Sequence, residues 1–286
     1  MNPDQTHSAR ELLAFYLEAG VDAALGEAAI DRFAEPIEVA ARPPVAPPGA
    51  PGAQRSLPAD PRRFSPPPAV AVTPALMSPE GAVMAAREEA KSARTLDELK
   101  SILSAFTGCA LRATATQLVF ADGNPAARIM FVGEAPGRDE DIAGLPFVGR
   151  SGQLLDRMMA AIGLSRANAY IANIVPWRPP GNRTPTPQES AICLPFTLRQ
   201  IELVDPEVLV CLGGPSAQTL LGIRDGILRT RGRWFPFDTG TREIRATATL
   251  HPAYLLRQPL QKRLAWRDFL AIKKTLGALA PRTAST

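Results

Sequence analysis

Four short apolar runs, separated by stretches of helical spacing, leave this chain few folds to adopt. The runs are ARIMFVGE (127–134), AYIANIVP (169–176), EVLVCLGG (207–214) and EIRATATLHP (243–252). Between and after them, SGQLLDRMMAAIGL (151–164), PQESAICLPFTLRQIEL (187–203), SAQTLLG (216–222) and QKRLAWRDFLAIKKTLGAL (261–279) repeat their apolar residues at helical intervals. Strand, crossover helix, strand specifies parallel pairing with helices over both faces. The expectation is an α/β fold, a three-layer α/β/α sandwich around a central four-stranded parallel sheet. Ligands of such sheets sit beyond the carboxyl ends of the strands. At those ends the chain reads GEAPG, then N followed by PWRPPGNR, then GGPSA, then HPAYLLR, four clusters free to converge on one crevice.

The pattern sets in near residue 85, and the chain before it has a different texture. Residues 36–84 are rich in Pro and Ala with few large apolar side chains, the composition of a flexible linker. Within residues 1–35, SARELLAFYLEAGVDAALGE places Leu12, Leu13, Phe15, Tyr16 and Leu17 on one apolar helix face that stops near Gly20. That helical segment either docks a protein partner or packs back on the main domain, residues 85–286. A chain of 286 residues with 45% hydrophobic content can build a real core. No apolar run is long enough to span a bilayer, the N-terminus lacks a secretory pattern, and Cys109, Cys193 and Cys211 make no disulfide framework. These features predict a cytoplasmic protein without a membrane partner. The net charge of +4 suits a polyanionic partner, though it equally suits an ordinary basic enzyme.

The first strand end holds the densest chemistry. Gly133, Pro136 and Gly137 allow a tight turn whose backbone approaches a ligand closely. Glu134, at the end of a buried strand, is placed as a water-positioning base, while Asp139, Glu140 and Asp141 crowd the same turn. Phe147 is followed by Arg150, Ser151 and Gly152 at a helix start, an aromatic followed by an anion cradle. His251 is one of only two histidines. No GxxxxGK[ST] or GxGxxG motif supports a nucleotide cofactor, no His or Cys cluster offers a metal site, and no GxSxG elbow supports a serine hydrolase.

Taken together and in this order, VGEAPG, EDIAGLPFVGRSGQLLD, YIANIVPWRPPGNRTPTPQE and HPAYLLR closely resemble the signature segments of family 4 uracil-DNA glycosylases, over roughly residues 105–275. The resemblance implies the uracil-DNA glycosylase fold and hydrolysis of the N-glycosidic bond of uracil in DNA by base flipping, starting base excision repair and leaving abasic DNA. By motif position, His251 donates a hydrogen bond to uracil O2, as either the neutral or the cationic imidazole, and Glu134 holds or activates water. Glu140 either orders that water or forms the pocket wall near the base C5. Phe147 stacks on the base, Ala135 and Gly137 border it, and the Asn173 amide reads N3–H and O4, an edge that cytosine reverses. Pro252 fixes the strand exit, Ala253, Tyr254, Leu255 and Leu256 form an intercalating loop, and Arg257 holds phosphate with Lys262 and Arg263. Arg150, Ser151 and Gly152 join that DNA contact, and RTRGRW (229–234) either lines the DNA or is a solvated turn. No lysine is placed to form a Schiff base, so the implied enzyme is a monofunctional glycosylase acting as a monomer. The competing reading is a protein that binds uracil or abasic sites in DNA with little turnover.

The chain departs from the family at its iron-sulfur cluster. Typical members hold a four-iron-four-sulfur cluster through four cysteines, and here Cys109 and Cys193 occupy two of those positions while Phe106 and Trp177 stand at the other two. Two thiolates cannot hold such a cluster in one chain. The aromatic replacements suit apolar filling of the volume, so the expectation is no metal and no cofactor.

Overall fold

The computed structural model describes residues 78–279. The helical segment expected within 1–35 and most of the 36–84 linker therefore lie outside the described residues. Helix α1 (Pro79–Ser92) opens with Ser78 accepting a hydrogen bond from the Gly81 N–H, so the folded unit begins before the expected boundary at 85. Its buried face is Ala82, Ala86 and Ala90, small residues at i, i+4 and i+8 that let it lie close against its neighbours. Helix α2 (Leu96–Ala105), capped by Thr95, follows and buries Leu99 and Leu103.

The four expected strands all form: β2 (Ile129–Gly133), β3 (Tyr170–Asn173), β4 (Val208–Leu212) and β6 (Glu243–Thr249). They pair in parallel in the order β3-β2-β4-β6. The sheet is wider than expected, because β1 (Asp122–Gly123) and β5 (Trp234–Asp238) add antiparallel edges to make six strands. Strand β5 carries Pro236, which an edge tolerates because one side of the strand needs no ladder donor.

Side chains alternate across the sheet and so build two cores. Met130, Val132, Leu209 and Cys211 face α1, α2 and helix α5 (Pro187–Val204), whereas Ile129, Phe131, Val208 and Val210 face helices α4 (Arg150–Ala161) and α9 (Lys262–Ala278). Three short helices complete the crossovers: α3 (Arg138–Ala143), α6 (Gly214–Leu221) and α7 (Ile227–Thr230). A fourth, α8 (Pro252–Arg257), stands where an intercalating loop was expected.

Register sets the site. Gly133 lies opposite Asn173 and Leu212 opposite Thr249, so the parallel strands end level with one another. The ladder runs one step further through Ile174 N–H to Gly133 O and Val175 N–H to Glu134 O, both 3.0 Å. Among the described residues no helix is long and apolar enough to cross a membrane.

Candidate active site

At the level strand ends lies a cavity of about 560 Å3, within the range of small-molecule sites. Glu134, Ala135, Gly137, Glu140, Phe147, Ser151, Asn173, His251, Ala253, Tyr254 and Arg257 line it, which brings together most of the side chains expected from the sequence.

Two acceptors in this cavity have no protein partner. Glu134 Oε1 and Asn173 Oδ1 are both buried and unbonded, although buried polar atoms are nearly always satisfied. Burial raises the Glu134 carboxyl above its usual range, for want of a nearby cation or donor. Gly133 is what opens the floor between them: a Cβ there would stand 2.4 Å from Asn173 Oδ1 and 2.7 Å from Phe147 Cζ.

His251 has a defined tautomer. The Ala253 N–H donates to its Nδ1 at 3.1 Å, capping α8, so the ring proton sits on Nε2. Burial, and then the charge of Arg257, lower its pKa to about 4. The imidazole is therefore neutral near pH 7, which resolves the alternative the sequence left open. Gly213 has φ +94, a conformation that favours glycine, and a Cβ there would stand a tight 3.1 Å from His251 Cβ. The Phe147 ring lies 5.5 Å from the His251 ring, tilted by 34°.

Phe147 itself has φ 56, a backbone conformation that only surrounding structure can enforce in a bulky residue. Two features enforce it. The Arg166 guanidinium donates to the carbonyls of Pro146 and Phe147 while pairing with Asp122 and Asp156. Gly152 lets the Phe147 carbonyl abut α4, where a Cβ would come within 1.7 Å. Gly152 is buried in this packing, while Arg150 is exposed beside it.

Glu140 is held by backbone donors. Its Oε1 accepts from the Val148 and Gly149 N–H groups at 3.0 Å each, and its Oε2 from the Gly137 N–H at 3.1 Å. With both oxygens engaged by backbone, Glu140 ties the GEAPG turn to the Phe147 loop. Asp141 is structural too, accepting from Thr116 and Gln117.

On α8, Pro252 and Leu255 are buried, whereas Leu256 and Arg257 are exposed. Leu255 packs with Leu250 and Ala265, so it anchors the helix and cannot serve as a wedge in this conformation. Of the arginines in 229–234, Arg231 is committed to Asp268 and to the Leu264 carbonyl. Lys262 and Arg263 are exposed at the start of α9.

The site also includes a loop that the sequence reading left without residue roles. Pro179, Asn182, Arg183, Thr184 and Pro185 line the cavity. Arg183 grips Glu189 through both guanidinium nitrogens, at 2.7 and 2.8 Å, holding that carboxyl down at about 2 and fixing the loop to α5. Its signal was present in RPPGNR, whose Pro and Gly mark a rigid turn beyond a strand end.

Behind this loop, Phe106, Cys109, Trp177 and Cys193 are buried together in one apolar core. The Cys193 thiol donates to Cys109 Sγ at 3.9 Å, the Phe106 ring meets Phe196 edge-on at 5.1 Å, and Phe106 covers Gly108 so closely that a Cβ there would lie 2.4 Å from its ring. Sulfurs in contact and aromatic carbon around them do not fit a cluster that needs four separated thiolates.

A sequence model of the uracil DNA glycosylase superfamily matches residues 120–270, and the chain belongs to that superfamily. Within it, the chain is similar to proteins named type-4 uracil-DNA glycosylase. That of Archaeoglobus fulgidus is 39% identical over 191 residues, covering 65% of this chain and 96% of the relative. That of Thermotoga maritima is 43% identical over 168 residues, 57% of this chain and 86% of the relative, and that of Sulfurisphaera tokodaii 36% over 193 residues, 66% and 87%.

Proposed function

We propose that this chain is a monofunctional uracil-DNA glycosylase: it hydrolyses the N-glycosidic bond of uracil flipped from DNA, releases uracil and leaves an abasic site for base excision repair. The observation that carries the mechanism is the pair of unpartnered acceptors, Glu134 Oε1 and Asn173 Oδ1, in one cavity with a histidine whose free nitrogen is a donor.

Uracil presents a donor, N3–H, between two carbonyl acceptors. Asn173 Oδ1 accepts N3–H, and cytosine, with an acceptor at that position, would leave the oxygen unpaired, a discrimination of the kind that buried polar groups supply. Phe147 stacks on the base. As the bond from C1′ to N1 breaks, its electron pair leaves with uracil, and the His251 Nε2–H meets the charge developing at O2 without transferring its proton. Glu134 orients water toward C1′ and takes the proton that the water loses as its oxygen bonds to the sugar. Among the described residues no lysine lines the cavity, which supports hydrolysis without a Schiff base.

Around the cavity, Arg150, Arg257, Lys262 and Arg263 contact DNA phosphates, with the half-buried Tyr254 and the exposed Leu256 replacing the flipped nucleotide. The core around Cys109 and Cys193 works without an iron-sulfur cluster, its apolar packing taking over the crosslinking role. The protein acts as a monomer in the cytoplasm, with residues 1–35 left to bind a protein partner.

The test is a labelled oligonucleotide with one uracil, incubated with wild type or His251→Ala and then treated with alkali to cleave abasic sites. Wild type yields product and the variant is slower by about 10²- to 10³-fold, the usual cost of a lost oxyanion donor. Tight binding by wild type without product would instead favour a capture protein. Iron analysis of the same colourless preparation should find no stoichiometric iron; a brown protein with four irons per chain would overturn the cofactor-free reading.

A further inference from the structure

On the far side of α8 from the uracil cavity, a second groove of about 210 Å3 runs between α4 and α9. Its floor is apolar, with Met158, Leu255 and Phe269, and its rim is Arg157, Lys262 and Trp266. Trp266 is 44% exposed, unusual for the largest side chain on a helix surface. The two cavities share a wall, because Tyr254 and Arg257 of α8 face the first and Leu255 of the same helix faces the second.

Charge selects the occupant. Arg157, Arg257, Lys262, Arg263 and Arg267 are exposed, and among the described residues none has an ion-pair partner. The acids nearest in sequence are already engaged, Asp156 with Arg166 and Asp268 with Arg231. A cationic rim around an exposed indole repels a second copy of this net-positive chain and gives an amphipathic helix too short a cleft for its repeated anchors. It suits a strand whose bases offer flat apolar faces and whose backbone is anionic, the pairing that single-stranded nucleic acid sites use.

We propose that this groove is a second nucleobase site, in which Trp266 stacks on an unpaired base of the strand that carries uracil while Arg157 and Lys262 hold its flanking phosphates. The identity of the strand rests on the glycosylase reading above. The groove makes the protein a reader of single-stranded DNA, with α8 dividing the uracil from the base held beyond it.

The test uses the full chain and a uracil-free single-stranded 20-mer, so that it does not depend on turnover. Trp266→Ala should weaken binding by about 5- to 100-fold, the range for one lost base stack, while Trp266→Phe restores most of it. Binding to a fully paired duplex should change far less. Equal affinity of wild type and Trp266→Ala for the single strand would overturn the proposal, as would sedimentation showing a dimer that Trp266→Ala dissolves. Should Trp266→Ala fail to fold, Arg157→Ala/Lys262→Ala carries the test: the salt dependence of log K should become shallower by about 1.4, for two phosphates lost from a single strand, and an unchanged slope would refute the groove. A wild type that binds through Trp266 yet releases no uracil would refute only the glycosylase reading, and one that excises uracil while Trp266→Ala binds normally would refute only the groove.

Discussion

Replacing Gly133 by Ala adds one carbon at the floor of the active site, and the structure says what it meets. The new Cβ would lie 2.4 Å from Asn173 Oδ1, 2.7 Å from Phe147 Cζ and 2.8 Å from Phe147 Cε2. Ordinary contacts of these kinds begin near 3.4 Å, so each neighbour must retreat by roughly 0.6–1 Å, and neither has an easy path. Asn173 is buried at a strand end, and Phe147 is held by Arg166 from one side and Gly152 from the other. Gly133 is not in the left-handed region, so Ala costs nothing in backbone strain and even favours the folded chain by about 0.5 kcal/mol. Against that, overpacking costs about 1–3 kcal/mol, for a net loss of roughly 2–8 °C in Tm. The effect on chemistry should be far larger: displacing the group proposed to read the base by about 1 Å costs on the order of 10²-fold in kcat/KM. Uracil excision under single-turnover conditions, with thermal melts alongside, separates the two. The pairing with Asn173→Ala is also informative, because the double variant should be little worse than the worse single. If Gly133→Ala excises uracil within about threefold of wild type, the floor is softer than the geometry states and the base does not sit where Asn173 and Phe147 place it.

Other outcomes follow from the same structure. Because the His251 pKa is about 4 and that of Glu134 is raised above 4.5, activity should fall on the acid side through the carboxylate, with no limb near 6.5; a limb there that vanishes in His251→Asn would refute the neutral imidazole. His251 folds neutral, so its contribution to stability is fully present above pH 6.5 and is lost as pH falls toward 4, and melts of His251→Ala should slope less across that window. Glu134→Gln should abolish turnover yet raise Tm by roughly 3 °C, since a half-buried carboxylate whose buried Oε1 has no partner costs about 1 kcal/mol; a lower Tm would show that Glu134 is satisfied. Glu140→Ala frees three backbone N–H groups and should lose about 3 kcal/mol, read by urea unfolding, together with binding of the base. Asp268→Ala, which strands buried Arg231, should cost about 3–5 kcal/mol in the same assay without altering the preference for uracil over cytosine.

What the sequence disclosed, and what it hid, divide along physical lines. The four parallel strands and their crossover helices were readable because a buried strand must be apolar throughout and a covering helix must repeat every three to four residues. The strand-end motifs were readable for the same reason, since the topology dictates where ligands sit. Helix α1 was missed altogether because its buried face is alanine, which leaves no apolar stripe. Strands β1 and β5 were missed because one has two residues and the other carries a proline. Among the site residues, Glu140 and Leu255 illustrate a limit of motifs: the pattern places a residue at the site but does not say whether its side chain points at ligand, at backbone or into the core. Arg166 had no signal at all, because its work on the Phe147 carbonyl depends on a turn bringing together residues that no local period connects.

The hydrogen bond from Ala253 to His251 joins two tasks in one ring. The nitrogen that caps helix α8 belongs to the imidazole proposed to touch the base, so anything that protonates, rotates or removes that ring also loosens the surface carrying Tyr254, Leu256 and Arg257. Grip on the strand and attack on the sugar linkage therefore cannot be tuned apart by evolution at this position. Histidine variants should lose affinity for uracil-free DNA along with turnover, whereas variants of Glu134 should lose turnover alone.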